Sequence, residues 1–200
     1  MGRTPQISDR AILDEARRTF IERGPHVSTT VIAGRLGISQ ATLFKRFPTK
    51  EELLLAALSP PSEISWIAEA KNGPDDRDPQ LQLKEIAEKV LAFFKEMMPC
   101  MMVLMSSGIS KDEVFKQFDM PPPVKGKLTM TAWFQSAMDR DLIRKTDAET
   151  LAVAFLGSVQ SHVFLNHTSA RHGYSTQKEE EYREAVVELF WNGIKIGDNA

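Results

Sequence analysis

A chain of 200 residues is long enough for a head of about 50 residues and a larger body, and 42% apolar with 26% charged residues is the balance of a folded globular protein rather than a disordered one. A single cysteine, Cys100, excludes an intrachain disulfide and any zinc cage that needs several thiolates. No uninterrupted apolar run approaches the roughly 20 residues that span a bilayer, and the opening MGRTPQISDR lacks the apolar stretch of a secretory signal, so a cytoplasmic protein with no membrane partner is expected.

The net charge of −2 is unevenly divided. Residues 1–50 hold nine Lys/Arg against four Asp/Glu, or +5, which leaves 16 bases against 23 acids, or −7, for residues 51–200. A polyanion would attract the first part and repel the second.

In chain order, Ser8 is a good N-cap for a first helix in which Ile12, Leu13, Ala16, Phe20 and Ile21 recur at helical spacing until Gly24-Pro25 stops it. Ser28 and Thr29 cap a short second helix with Ile32, Ala33 and Leu36 inward, ending at Gly37, a residue type that tolerates a left-handed turn. Ser39 caps a third, with Leu43 and Phe47 inward and Gln40, Ala41, Thr42, Lys45 and Arg46 on other faces. Pro48-Thr49 breaks it, and a fourth helix runs from Lys50 through Leu58.

Pro60 and Pro61 end that helix, and residues 71–79, an Asn-Gly-Pro turn followed by acids and prolines, read as a mobile loop. From Leu81 a long amphipathic helix carries Leu83, Ile86, Ala87, Val90, Leu91, Phe94 and Met97, with Pro99 starting or kinking the next. After a loop around 119–123, three helices are expected at 124–141, 146–168 and 176–196, the second opening with the capping box Thr146-x-x-Glu149. No strand alternation and no repeat is found, so the class is all-α. The expected architecture is a three-helix helix-turn-helix head over residues 1–50, with a connecting helix to about residue 58, and a helical effector-binding and dimerisation body over 59–200.

Two short helices joined through Gly37-Ile38-Ser39 let apolar residues lock the pair while the first turn of the second helix points outward, the design that enters a major groove. Gln40 has the amide that pairs bidentately with adenine, Ala41 a methyl suited to thymine, and Thr42 a hydroxyl for a base or phosphate. The stretch ILDEARRTFIERG followed by STTVIAGRLGISQATLFKRFPTKEELL resembles the head of the TetR family of regulators across about the first quarter of the chain. The resemblance rests on several spaced elements: Phe20, Gly24, Ile32-Ala33, Gly37-Ile38-Ser39, Thr42-Leu43-Phe44, Phe47-Pro48 and Lys50.

The resemblance implies the architecture of a dimeric DNA-binding regulator with a ligand pocket in its body and leaves the effector open; the expected function is a homodimeric, ligand-responsive repressor released from a palindromic double-stranded operator by a small apolar effector, with no enzymatic activity and no cofactor. It places Ser28 and Thr29 where the family grips phosphates, Gln40, Ala41 and Thr42 where it reads bases, and Lys50 on a phosphate, with the capping Ser39 a further DNA-binding candidate. Phe44 stands where a tyrosine hydroxyl usually meets the DNA backbone, so that bond is lost. Thr30 stands where some members set an arginine against a base, which argues against direct readout from the second helix. Lys45 and Arg46 are candidate phosphate or base-edge groups, and Arg3 with Arg10 forms a candidate arm for a minor groove or flanking phosphates.

In the body, Phe93, Met97, Met101 and Met105 cluster around Pro99 with further methionines, a soft wall suited to varied apolar ligands. Trp66, Trp133, Phe134, Phe155 and His162 are further pocket candidates. Phe155, Ser158 and Phe164, with Val186, Leu189 and Phe190, are candidates for a four-helix seam with a symmetry mate. Two rival classes are a small helical enzyme and a helical interaction module without specific DNA binding. The first lacks any paired-carboxylate, triad, phosphate-loop or metal-spacing motif, His162 and His167 falling on different helix faces.

Overall fold

A computed structural model describes residues 7–169 and 178–196, and among these there are ten helices and no strand. Arg3 and the expected start of the last helix at 176 lie outside the described residues. The chain divides into two compact units, one made of residues 1–60 and 99–117, the other of 61–98 and 118–200. The division differs from the expected one at residue 58 because the stretch from Pro99 to Gln117 groups with the head.

In the first unit, α1 (Asp9–Arg23) begins where Ser8 Oγ accepts from the Ala11 N–H at 3.2 Å and ends at Gly24, whose φ of 81° no other residue type adopts cheaply. It buries Ile12, Ala16, Thr19 and Phe20, whereas Ile21 lies outside the buried stripe at 40% exposure. α2 (Thr29–Arg35) and α3 (Gln40–Arg46) are seven residues each. The turn between them is closed by Ile38 N–H donating to the Ala33 carbonyl at 3.0 Å and Gly37 N–H to Gly34 at 3.1 Å, with Gly37 at φ 66°. This pair of bonds is a Schellman closure, which needs a left-handed residue where the glycine stands. α4 (Lys50–Leu58) starts on Thr49, whose hydroxyl accepts from Glu52 N–H at 3.0 Å, and Arg17 Nε ties α1 to its end by donating to the Ala57 carbonyl at 2.9 Å. The same unit takes in the second part of α6 (Pro79–Ser106) and the short α7 (Lys111–Phe115), with Cys100, Leu104 and Val114 buried.

The second unit holds α5 (Ser65–Ala70), the first part of α6, α8 (Pro122–Asp139), α9 (Ala148–Thr168) and α10 (Glu179–Ile194). Its core is aromatic: Trp133, Phe134, Phe155 and Phe190 meet edge to face in series, with centroids 5.3, 6.1 and 5.4 Å apart, a favoured geometry for ring quadrupoles. α9 is long and apolar enough to cross a membrane by composition alone, yet Ala152, Phe155, Val159, His162 and Val163 are buried in this core.

Several sequence expectations are corrected. Pro99 neither starts nor ends a helix but sits inside α6, where its ring nitrogen offers no N–H to the preceding turn. α9 is capped one residue later than expected, by Asp147 Oδ1 accepting from Thr150 N–H at 2.6 Å, in place of the Thr146 capping box. α8 stops at Asp139, and Asp141 takes the left-handed position (φ 52°) of a Schellman closure in which Leu142 N–H donates to Ala137 at 2.9 Å.

The segment 71–79 is a fastened loop. The buried Gln82 side chain accepts from Asp75 N–H at 2.8 Å and donates to the Arg77 carbonyl at 2.9 Å, while Arg140 donates to the Pro74 carbonyl and pairs with Asp76 at 2.7 Å.

Candidate nucleic-acid interface

Leu43 is fully buried, which fixes the inner face of α3 and leaves Gln40, Ala41 and Thr42 exposed together on its first turn. Ser39 caps that turn, its Oγ accepting from Thr42 N–H at 3.1 Å and lying 2.8 Å from the Thr42 hydroxyl. The Ala41 methyl is open to a partner, and the Thr42 hydroxyl is held toward the cap. Lys45 is exposed, Phe44 and Lys50 are half-buried, and Ser28 and Thr30 stand exposed at the start of α2 with their hydroxyls bonded to each other.

Two of the expected DNA-contact side chains are engaged within the head. Thr29 is 5% exposed and its Oγ1 accepts from Gln40 Nε2 at 2.7 Å, so this hydroxyl faces inward and not toward a phosphate. Arg46 is engaged at the start of α1, pairing with Asp9 at 2.6 Å and donating to the Ile7 carbonyl at 3.3 Å. Its work in this structure is to brace the reading helix against α1.

A second brace was invisible in the sequence. Arg35 at the end of α2 pairs with Glu22 at 2.8 Å and Glu15 at 3.4 Å on α1, and donates to the buried Thr19 hydroxyl at 3.2 Å. The Arg35 guanidinium holds the Glu22 carboxyl below its ordinary range, and Glu22 in turn raises Arg35. Both groups are solvent-facing, so the pair acts mainly by orienting the two helices.

In the body unit, the expected pocket side chains serve mainly as core. Trp133, Phe134 and Phe155 are at most 1% exposed, and Trp66 and Met97 are buried. Phe93 is half-buried edge-on to Phe94 at 5.5 Å. Met101 and Met105 belong to the other unit, where Met101 is half-buried and Met105 is 75% exposed, which removes Met105 from any enclosed wall. A surface cleft of about 760 Å³ between α6 and α10 is lined by Leu91, Ala92 and the Lys95–Glu179 and Arg183–Glu88 ion pairs. None of the expected pocket residues lines it.

His162 is buried and stacks on Tyr182 with ring centres 3.8 Å apart and planes within 12°. Its Nε2 lies 2.9 Å from the Asn166 amide nitrogen, and the Tyr182 hydroxyl donates to the Ser158 carbonyl at 2.9 Å. Burial pushes the imidazole below its ordinary value, against an opposing pull from the Glu179 charge.

Of the expected seam, Phe164 and Leu189 are exposed at 46% and 74%. Phe155 and Val186 are corrected to their own core. Phe190 is half-buried against Phe155, and the half-buried Ser158 spends its hydroxyl on the Ala154 carbonyl at 2.7 Å.

Comparison with known proteins matches the family model of bacterial regulatory proteins of the tetR family to residues 12–57, and that of the C-terminal domain of AefR-like transcriptional repressors to residues 81–192. No curated protein matches the chain in sequence. Among solved structures, the fold is shared by the TetR family regulator PfmR from Thermus thermophilus, at 22% identity and a TM-score of 0.65, covering 90% of this chain and 97% of that one. It is shared likewise by a putative fatty acid metabolism regulator from Clostridium perfringens, at 20% identity and TM-score 0.64, covering 93% and 99%. A complex of SmeT with triclosan matches at 17% identity and TM-score 0.63, covering 94% and 91%. With a helix-turn-helix head and a helical body both matched by family models, the chain belongs to the TetR family of transcriptional regulators.

Proposed function

We propose that this regulator is a homodimeric repressor that reads a palindromic operator and is released from it by a small apolar effector. The observation that carries the reading is the exposed row Gln40, Ala41 and Thr42 on a turn whose backbone is locked by Leu43, the Gly37 closure and the Arg46–Asp9 pair. Those side chains offer a donor–acceptor amide, a methyl and a hydroxyl to base edges, while Lys45, Lys50, Ser28 and Thr30 flank them for phosphates. A two-fold dimer sets the two reading helices about 34–36 Å apart, which gives the operator its inverted symmetry.

The dimer seam is assigned to α9 and α10. On α9 the sequence positions Val153, Gly157, Ser161 and Phe164 recur at helical spacing, with Val153 52% and Phe164 46% exposed. On α10, Leu189 and Gly193 do the same, with the 46% exposed Ile196 just beyond the end of the helix, and a Cβ built on either glycine meets nothing within 4 Å. Such a surface matches the small-plus-apolar surface that two closely approaching helices need.

The effector reading is supported by the adaptable Met98, Met130 and Met138 in the aromatic core, and by the triclosan complex of SmeT. A regulator of this kind works where the chromosome is, in the cytoplasm. The test is selection by the full-length chain from a randomised duplex pool, followed by titration of the selected duplex with and without triclosan as the apolar probe. An inverted-repeat sequence preferred over bulk DNA at rising salt, and weakened by triclosan, is expected. Equal affinity for every sequence would remove the reader. An operator affinity unmoved by saturating triclosan would remove this compound class from the effector reading.

A further inference from the structure

We infer that Thr29 is a positioning residue for sequence readout, holding the Gln40 amide in the pose that recognises adenine. The inference rests on Gln40 being a base reader. Thr29 is the first residue of α2, a β-branched side chain with few rotamers, and it is buried, so its Oγ1 is a fixed point in the head. Gln40 is the first residue of α3 and is exposed. Left alone, an exposed glutamine samples many rotamers and loses that freedom on meeting DNA. Here one Nε2 proton is donated to Thr29 Oγ1 at 2.7 Å, across the helix pair.

What remains on the amide is one N–H and Oε1, a donor beside an acceptor. Adenine presents the complementary pair in the major groove, with N7 accepting and the N6 amino group donating. Guanine offers N7 and O6, two acceptors, and cannot satisfy an amide whose other outward atom is also an acceptor. The bond to Thr29 thus prepares the amide for adenine before DNA arrives.

The experiment compares full-length wild type, Gln40→Ala, Thr29→Val and Thr29→Ser on the duplex that wild type selects from a randomised pool and on every single-base variant of it, at several salt concentrations. Thr29→Val keeps the shape and removes the acceptor. It is expected to lower the preference for adenine about tenfold at the position that Gln40→Ala identifies, with an unchanged salt slope, while Thr29→Ser restores the preference. An unchanged profile for Thr29→Val beside an altered one for Gln40→Ala would overturn the positioning role and leave the reader standing. A uniform loss with a salt slope smaller by about one would make Thr29 a phosphate contact instead. An unchanged profile for Gln40→Ala, or a wild type that selects no sequence, would overturn both readings together.

A direct readout on the wild type needs no variant: one side-chain amide proton of Gln40 should exchange with solvent more slowly than those of the exposed Gln117. Two freely exchanging protons would contradict the bond. This measurement also decides the matter should Thr29→Val fail to fold.

Discussion

Gly126 shows how closely single atoms are fitted in the body. A Cβ on it would stand 2.8 Å from Cη2 and 3.0 Å from Cζ2 of Trp66, closer than carbon atoms approach without displacement. Gly126→Ala gains about 1 kcal/mol of helix propensity, but overpacking a filled site costs about 1–3 kcal/mol, and the indole is rigid. A lower urea midpoint is expected, with Trp66→Phe in the same chain recovering part of the loss. A raised midpoint would mean that α5 and α8 separate freely.

His162 gives the body a pH dependence of definite sign. The folded state holds the ring below its ordinary value of 6.5, chiefly by burial, so the neutral form is favoured there. Above 6.5 both folded and unfolded chains carry a neutral ring and the stability is complete. As pH falls below 6.5 the unfolded chain takes up the proton first, and stability is lost down to the folded value. Protonation would also remove Nε2 as an acceptor for Asn166. Urea unfolding on either side of that pH should show a drop that is smaller in His162→Gln. Equal drops in the two proteins would place the titration elsewhere.

Among the elements, those legible from sequence are the ones whose ends are decided locally. Ser8, Ser28, Ser39 and Thr49 each satisfy an N–H within three residues, and Gly24 and Gly37 each close a turn on its own helix. Two kinds of feature were misread: the local ends of α8 and α9, where Asp141 and Asp147 do the capping, and features that depend on distant partners. The loop 71–79 looked mobile because its composition is that of a linker, but its fastener, Arg140, arrives from more than 60 residues away. Thr29 and Arg46 looked like phosphate groups because their types suit phosphates, and only the fold reveals that Gln40 and Asp9 claim them. α5 and α7, of six and five residues, were missed because each is too short to show a repeat of apolar spacing, and α5 has no side-chain cap to mark its start.

The loop yields a prediction at this scale. Gln82→Ala strips Asp75 N–H and the Arg77 carbonyl of their partner, and because both residues are exposed and water can replace it, each lost bond costs only about 0.5–1.5 kcal/mol. Amide exchange at Asp75 should accelerate strongly while α9 keeps its protection. Unchanged exchange at Asp75 would assign the ordering of the loop to Arg140 alone.

For the whole molecule, charge and exposed apolar surface point to division of labour. The +5 carried by residues 1–50 lies in the head that presents Gln40 and Lys45, and the −7 lies in the rest, which gains nothing from a polyanion. Leu189, at 74% exposure, is the most open large apolar side chain of α10. Leu189→Glu leaves the chain's own core untouched and should convert a dimer to a monomer in sedimentation, with operator affinity falling because two half-sites are no longer bound at once. An intact dimer would move the seam off α10.

The central claim is that the first turn of α3 reads sequence, and the most direct test is the affinity of Gln40→Ala for every single-base variant of the operator that wild type selects. The account predicts discrimination lost at one base pair in each half-site, about 1–3 kcal/mol on the cognate duplex, with affinity for bulk DNA and the salt slope unchanged. A profile identical to that of wild type, or a loss spread evenly over all sequences, would contradict it.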